Sequence, residues 1–138
     1  MNSHIPPELH ALNVLSPLVF AVLFILGFSL VREPARQRFN AILVAGAGAA
    51  YFSSGLGIWE QVFTAAATVV AYQGLRSYRF IGVAWLMHSA WDVLHHLYAD
   101  PILLFAPTSS AGCAIFDAAI ALWFFADAPS IARRTLKP

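Results

Sequence analysis

Four ionisable side chains lie close together in one apolar stretch of the chain: His88, Asp92, His95 and His96 all fall within residues 80–99. The stretch is long enough to cross a bilayer as a helix, and ionisable groups at that depth are costly and usually functional. At about 100° per residue, the four positions project within an arc of roughly 100°. One helix face therefore carries imidazoles around a carboxylate, which is typical of a metal site or a proton path.

The spacing of these residues favours metal binding. His88 and Asp92 are four residues apart, so a helix places them one turn apart, like the two histidines of an HExxH helix. Asp92 pairs in a similar way with His95 or His96 in the next turn. We predict that these four residues bind one divalent ion near Asp92, or two ions that Asp92 bridges. Nitrogen and oxygen ligands without thiolate suit zinc, iron or manganese, among which the sequence does not choose.

Two further acids fall in other apolar stretches. Asp117 shares a helix face with Ser110 and Cys113, and Glu60 lies about one turn inside its own stretch. Because lipid cannot solvate these groups, we expect them to face the histidines across a polar cleft that opens toward the outer side. The candidate catalytic residues are Asp117, Asp92 and Glu60. Such an acid can act as general base to a metal-bound water, or it can complete or orient the ligand shell. Glu60 could instead lie among the headgroups, and Cys113 is more typical of a packing residue.

The composition places these helices in a membrane protein. The chain is 59% hydrophobic and 11% charged, with a mean hydropathy of +0.69, whereas soluble domains average about a quarter charged residues. The basic residues form three clusters that can all lie on one side of the membrane, as the positive-inside rule requires. The clusters are Arg32, Arg36 and Arg38, then Arg76 and Arg79, and finally Arg133, Arg134 and Lys137.

This placement predicts an all-α polytopic integral membrane bundle with five transmembrane helices in a single domain over residues 1–138. The predicted spans are residues 9–31, 39–51, 56–75, 80–99 and 109–126, with a turn at residues 53–55. The N-terminus lies outside and the C-terminus in the cytoplasm. The second span is short, so three spans with residues 39–75 as a half-inserted hairpin are the alternative. The N-terminus has no basic segment before the first span and no small-residue cleavage site, and the apolar run is longer than that of a usual signal peptide, so we expect this span to be retained.

Several other classes of protein lack support in the sequence. It contains no glycine-rich phosphate loop, no CxxC pair, no solenoid repeat and no Ser-His-Asp order of a soluble hydrolase. One cysteine excludes a disulfide within the chain, and we expect no nucleic-acid partner. Runs of small residues at 45–50 and 65–67 permit close helix approach within the chain or in a homo-oligomer.

The second half of the chain resembles a known group of proteins. The pattern comprises YRFIGVAW at residues 78–85, the HxxxDxxHH arrangement at residues 88–96, and PTSSxGCAIxD at residues 107–117. In this order the motifs are similar to those of short bacterial integral membrane proteins whose shared domain has no known function. The resemblance covers about residues 72–130. It implies a multi-pass protein of the bacterial inner membrane and implies no activity.

Taken together, these features favour a metal-dependent membrane enzyme, a hydrolase or an oxidoreductase, with its site in the outer half of the bilayer. We expect the lipid bilayer and an apolar or lipid-derived substrate as its partners. Two alternatives remain: a metal-ion or proton carrier or relay, and a structural subunit of a membrane complex. A carrier needs polar groups that continue to the inner side. Only Tyr72, Gln73 and Ser77 lie there, which disfavours a continuous path.

Overall fold

The computed structural model describes residues 6–51 and 55–131 of the 138-residue chain, and these residues form helices and connections without strands. The described helices are α1 (Ala11–Leu30), α2 (Ala35–Gly48), α3 (Ile58–Gly74), α4 (Tyr78–Tyr98) and α5 (Ser109–Phe125). The prediction of an all-α fold with five helices is confirmed. Two features of the sequence lie outside the described residues: Ser53 and Ser54 of the predicted turn, and the third basic cluster.

Four helices begin and end close to the predicted spans, while α2 is displaced toward the N-terminus. It begins at Ala35 instead of residue 39 and ends at Gly48 instead of residue 51. The polar start is helical because Pro34 occupies the N-cap position, where its missing N–H costs nothing, and because the Arg36 guanidinium bonds Glu33. Tyr51 therefore lies beyond the helix, where it can turn into the bundle.

Contacts at the two ends show that successive helices run in opposite directions. At one end, Tyr78 at the start of α4 donates a hydrogen bond to Glu33, and Gln37 of α2 donates to the last carbonyl of α3. At the other end, Asn13 of α1 donates to Thr108 before α5. The first two basic clusters therefore lie at the same end of the bundle, and their placement on one side of a membrane stays a prediction.

Helix α4 is the centre of the bundle, since it packs against α2, α3 and α5, while α1 packs on α5. Ile81, Ile120 and Phe124 are fully buried in the apolar core between α4 and α5. Ser89 of α4 donates a 2.7 Å hydrogen bond to the Ala114 carbonyl of α5. The polar face of α4 is thus turned toward its neighbours instead of outward.

One of the described helices, α1, is long and apolar enough to cross a membrane by length and composition. It lies near the N-terminus, where a signal sequence has the same features. Helix α5 is also apolar but has 17 residues, fewer than the roughly 20 that span a bilayer. The number of spans and their orientation stay predictions.

Candidate functional site

His88 lies at the centre of the site, on α4. Its Nδ1 is 2.6 Å from Asp117 Oδ2 on α5 and 3.4 Å from Asp92 Oδ2, one turn further along α4. Its Nε2 is 2.8 Å from the backbone carbonyl oxygen of Ala47 on α2. Because a carbonyl oxygen can only accept, Nε2 carries a hydrogen and Nδ1 is the nitrogen that faces the carboxylates.

Burial makes the charges of this cluster expensive. His88, Asp92 and Asp117 are 3%, 0% and 2% exposed, so water does not solvate them. Two carboxylates face one imidazole, so the acids outnumber the basic group even when the ring is protonated. A buried charge is strongly unfavourable unless it is paired or bound to a metal. The cluster could therefore hold an additional cation.

The three side chains offer a set of ligand atoms that fits a small divalent ion. One atom from each lies within 4.8 Å of the others. Neighbouring ligand atoms in a tetrahedral zinc site are about 3.3 Å apart, given metal–ligand bonds of about 2.0–2.1 Å. The 3.4 Å between His88 Nδ1 and Asp92 Oδ2 agrees with that spacing. The shorter contact to Asp117 is a hydrogen bond, whose proton an ion would replace.

Tyr51 holds the other oxygen of Asp92. The Tyr51 hydroxyl is 2.5 Å from Asp92 Oδ1 and 3.0 Å from Ser110 Oγ at the start of α5. Ser110 Oγ in turn accepts a 3.0 Å hydrogen bond from the backbone N–H of Ile102. Tyr51 was not among the predicted site residues, because it follows a run of alanines and glycines without a polar pattern. The one feature of the sequence that could have indicated Tyr51 is its type: it is a large aromatic residue with a hydroxyl group at the end of a segment of small residues.

His95 lies beside the cluster, in contact with Tyr51. It is fully buried, its ring stacks on that of Tyr51 with centroids 3.9 Å apart, and its Nδ1 is 3.2 Å from the Asp100 carbonyl. The three-residue group that fits an ion does not include His95. Its predicted role as a ligand stays a prediction.

The remaining candidates surround the cluster. Glu60 is buried at the first turn of α3 and accepts a 2.9 Å hydrogen bond from the Leu56 N–H. His96 and Cys113 are half-buried. None of the three belongs to the group of ligand atoms around His88, and their predicted roles are untested.

An apolar groove of about 360 Å³ lies between α3 and α4, next to this cluster. It is lined by Leu56, Trp59, Trp91, Leu94 and Tyr98. Trp91 stacks on Phe63 with ring centroids 4.5 Å apart, and Phe63 lies 6.1 Å from the His88 ring. Two aromatic side chains thus separate the groove from the buried ionisable groups.

The fold and the site together define a class: an all-α protein with a buried His/Asp cluster where three helices meet. The chain belongs to DUF6010, a family of unknown function, whose model matches residues 12–130. No curated protein and no solved structure matches the chain. The matched range includes every residue of the cluster, and the prediction of an uncharacterised family is confirmed.

Proposed function

We propose that this protein binds a divalent metal ion between His88, Asp92 and Asp117 and uses it in catalysis within a membrane. One observation carries the proposal: Asp92 Oδ2 is buried, accepts no hydrogen bond from any residue that the structure describes, and lies 3.4 Å from His88 Nδ1. An oxygen in that position is costly unless a cation compensates it. A neutral imidazole with two carboxylates balances the charge of a divalent ion.

The surroundings of His88 support the same proposal. In most metal sites the ligating histidine donates its other ring N–H to a carbonyl or carboxylate, which fixes the ring and its tautomer. The Ala47 carbonyl does this at Nε2, and Nδ1 is left for the ion. Zinc, iron and manganese suit the nitrogen and oxygen ligands. Such an ion would activate a water for hydrolysis or, if redox-active, support oxidation.

The outer surface supports a membrane location with several spans. Large apolar side chains are exposed along α1, and others on the remaining helices, including Phe39, Val69, Leu86 and Leu122. Contiguous apolar surface of this extent is unfavourable in water and suits contact with hydrocarbon. We place the protein in the bacterial inner membrane. The end of the bundle that carries the first two basic clusters then faces the cytoplasm.

The groove beside Trp91 supports an apolar or lipid-derived substrate. It opens on the protein surface between α3 and α4 and is lined by five apolar or aromatic side chains. A substrate chain in this groove would lie against Trp91, which stacks on Phe63, and a movement of these two rings would give it access to the ion.

Elemental analysis of the purified protein in detergent tests the metal site. We expect about one zinc, iron or manganese ion per chain in the wild type, and loss of that metal in His88→Ala and Asp92→Ala. Asp100→Asn is the matched control, because Asp100 is an exposed acid near the same end of α4. Folded wild type without metal, even after reconstitution, contradicts the proposal.

A second candidate, a proton relay, has its own supporting observation. A hydrogen bond connects Asp117 with His88. Next to this pair, the Tyr51 hydroxyl is hydrogen-bonded to both Asp92 and Ser110. Such a row of short polar contacts can pass protons without a metal. A metal-free but folded wild type in the same elemental analysis favours this relay, or a structural polar cluster, over the enzyme.

A further inference from the structure

We infer that Tyr51 is a positioning residue, which fixes Asp92 so that this carboxylate presents one defined oxygen to the cation. The inference rests on the proposed metal site and assigns a role to a residue outside the ligand set. Tyr51 is 1% exposed and lies three residues beyond the end of α2. It reaches Asp92 from a different part of the chain.

The proton count gives the hydrogen bonds at Tyr51 a direction. A tyrosine hydroxyl has one proton, and an ionised carboxylate can only accept. The shorter contact, 2.5 Å to Asp92 Oδ1, therefore takes the Tyr51 proton. Ser110, 3.0 Å away, then donates its own proton to the Tyr51 oxygen and accepts the N–H of Ile102. All donors in this row point toward Asp92 Oδ1.

This arrangement divides the two oxygens of Asp92 between two tasks. Oδ1 accepts the hydrogen bond from Tyr51, while Oδ2 has no hydrogen bond within the described part of the chain and lies 3.4 Å from His88 Nδ1. Rotation about the last torsion of an aspartate is soft, so an unrestrained carboxylate could bind through both oxygens or turn away. With Tyr51 in place, Asp92 binds the ion through Oδ2 alone.

The aromatic ring keeps the hydroxyl of Tyr51 in place. It stacks on the His95 ring at 3.9 Å with an angle of 18° between the planes. His95 is itself fixed through its Nδ1 contact with the Asp100 carbonyl. His95 thus supports the site through Tyr51 without needing to bind the ion.

Cobalt binding to full-length protein in detergent tests the inference, with Tyr51→Phe as the variant and Tyr78→Phe as its matched control. Both substitutions delete a hydroxyl that lies 2.5 Å from a carboxylate, but Tyr78 bonds Glu33 at the opposite end of the bundle. Phenylalanine keeps the ring that stacks on His95. We expect Tyr51→Phe to weaken cobalt binding roughly tenfold to hundredfold, as the loss of outer groups does in other metal sites. We also expect its visible absorption spectrum to change, and Tyr78→Phe to match the wild type in both readouts.

Each other outcome has a definite meaning. Wild-type affinity and spectrum in Tyr51→Phe overturn the inference and leave the metal site standing. An equal loss in both tyrosine variants, with unchanged spectra, indicates a general effect on stability and also overturns it. Absence of cobalt binding in the wild type rejects the proposed function itself. If Tyr51→Phe does not fold, Ser110→Ala takes its place, and we expect a weaker but measurable loss of affinity, whereas an unchanged affinity overturns the inference.

Discussion

His88 is oriented by groups from three helices, and none of them is close to it in sequence except Asp92. The Ala47 carbonyl on α2 fixes one ring nitrogen, and Asp117 on α5 bonds the other. Both acids are buried beside a single imidazole. At the scale of single residues, these contacts fix the three side chains in an arrangement that could hold a cation.

Metal added in excess should stabilise the wild type, because a ligand that binds the folded state alone raises the free energy of unfolding. At a concentration of about 100 times Kd, the gain is about 2.7 kcal/mol. We expect Asp117→Asn to abolish this gain, since the amide removes one of the two charges that the ion balances. Thermal unfolding with and without zinc or manganese measures it. Asp100→Asn should respond as the wild type does, and a full response in Asp117→Asn would count against Asp117 as a ligand.

Sequence alone could predict His88, Asp92 and Asp117, because a buried charge in an apolar helix stands out from its surroundings. It could not predict the contacts of Tyr51 and Ala47. A backbone carbonyl has no sequence signal, and the position of Tyr51 depends on where α2 ends. Which ionisable groups come into contact depends on how three helices pack together. Helix periodicity describes one helix at a time and therefore does not predict these contacts.

The packing of α3 against α4 depends on a glycine at their shared end. A Cβ at Gly74 would lie 2.6 Å from Cγ1 of Ile81, a fully buried residue of α4, and 3.4 Å from Cβ of Ala41. We expect Gly74→Ala to destabilise the protein by about 1–3 kcal/mol through overpacking. Gly46→Ala is the control, since its Cβ would meet nothing within 4 Å. Equal unfolding free energies of the two variants in detergent would contradict this account.

A polar cluster of Glu33, Arg36 and Tyr78 joins the connection between α1 and α2 to the start of α4. Burial raises the pKa of Glu33, but hydrogen bonds from Tyr78 and Arg36 lower it by more, so the net pKa lies below its ordinary value. Glu33 therefore contributes stability above its unfolded-state pKa of about 4.3, and that contribution is lost as the pH falls through the lower folded-state pKa.

Unfolding measured from about pH 5 to about pH 3 tests this contribution. We expect the melting temperature of the wild type to fall more steeply over this range than that of Glu33→Gln, which cannot titrate. The difference between the two profiles isolates Glu33 from the other carboxylates. Parallel profiles would mean that Glu33 does not connect the helices in the way described.

The helices themselves were predictable because long apolar stretches are separated by short polar ones. The exception, α2, shows the limit of that signal. Its first turn contains Arg36, which pairs with Glu33 three residues earlier and donates a hydrogen bond to the Tyr78 hydroxyl. The contact with Tyr78 is made across the fold. The hydrophobic pattern predicts the start of this helix only where the apolar residues begin, at Phe39.

At the scale of the whole molecule, we predict that the two ends of the bundle lie on opposite sides of the membrane. With Cys113 replaced by alanine, single cysteines can report each side. We expect Asp100→Cys to react with a membrane-impermeant maleimide from outside intact cells, and Arg76→Cys to react only after permeabilisation. Both positions are exposed at the ends of α4. Labelling of both from outside, or the reverse pattern, would contradict the predicted orientation.

The central claim is that a divalent ion lies between three particular side chains. Anomalous X-ray diffraction from crystals grown with zinc or manganese measures this directly. We predict one strong anomalous peak about 2.0–2.2 Å from His88 Nδ1, Asp92 Oδ2 and Asp117 Oδ2. A well-ordered site without a peak, or with the ion bound only elsewhere, would contradict the account.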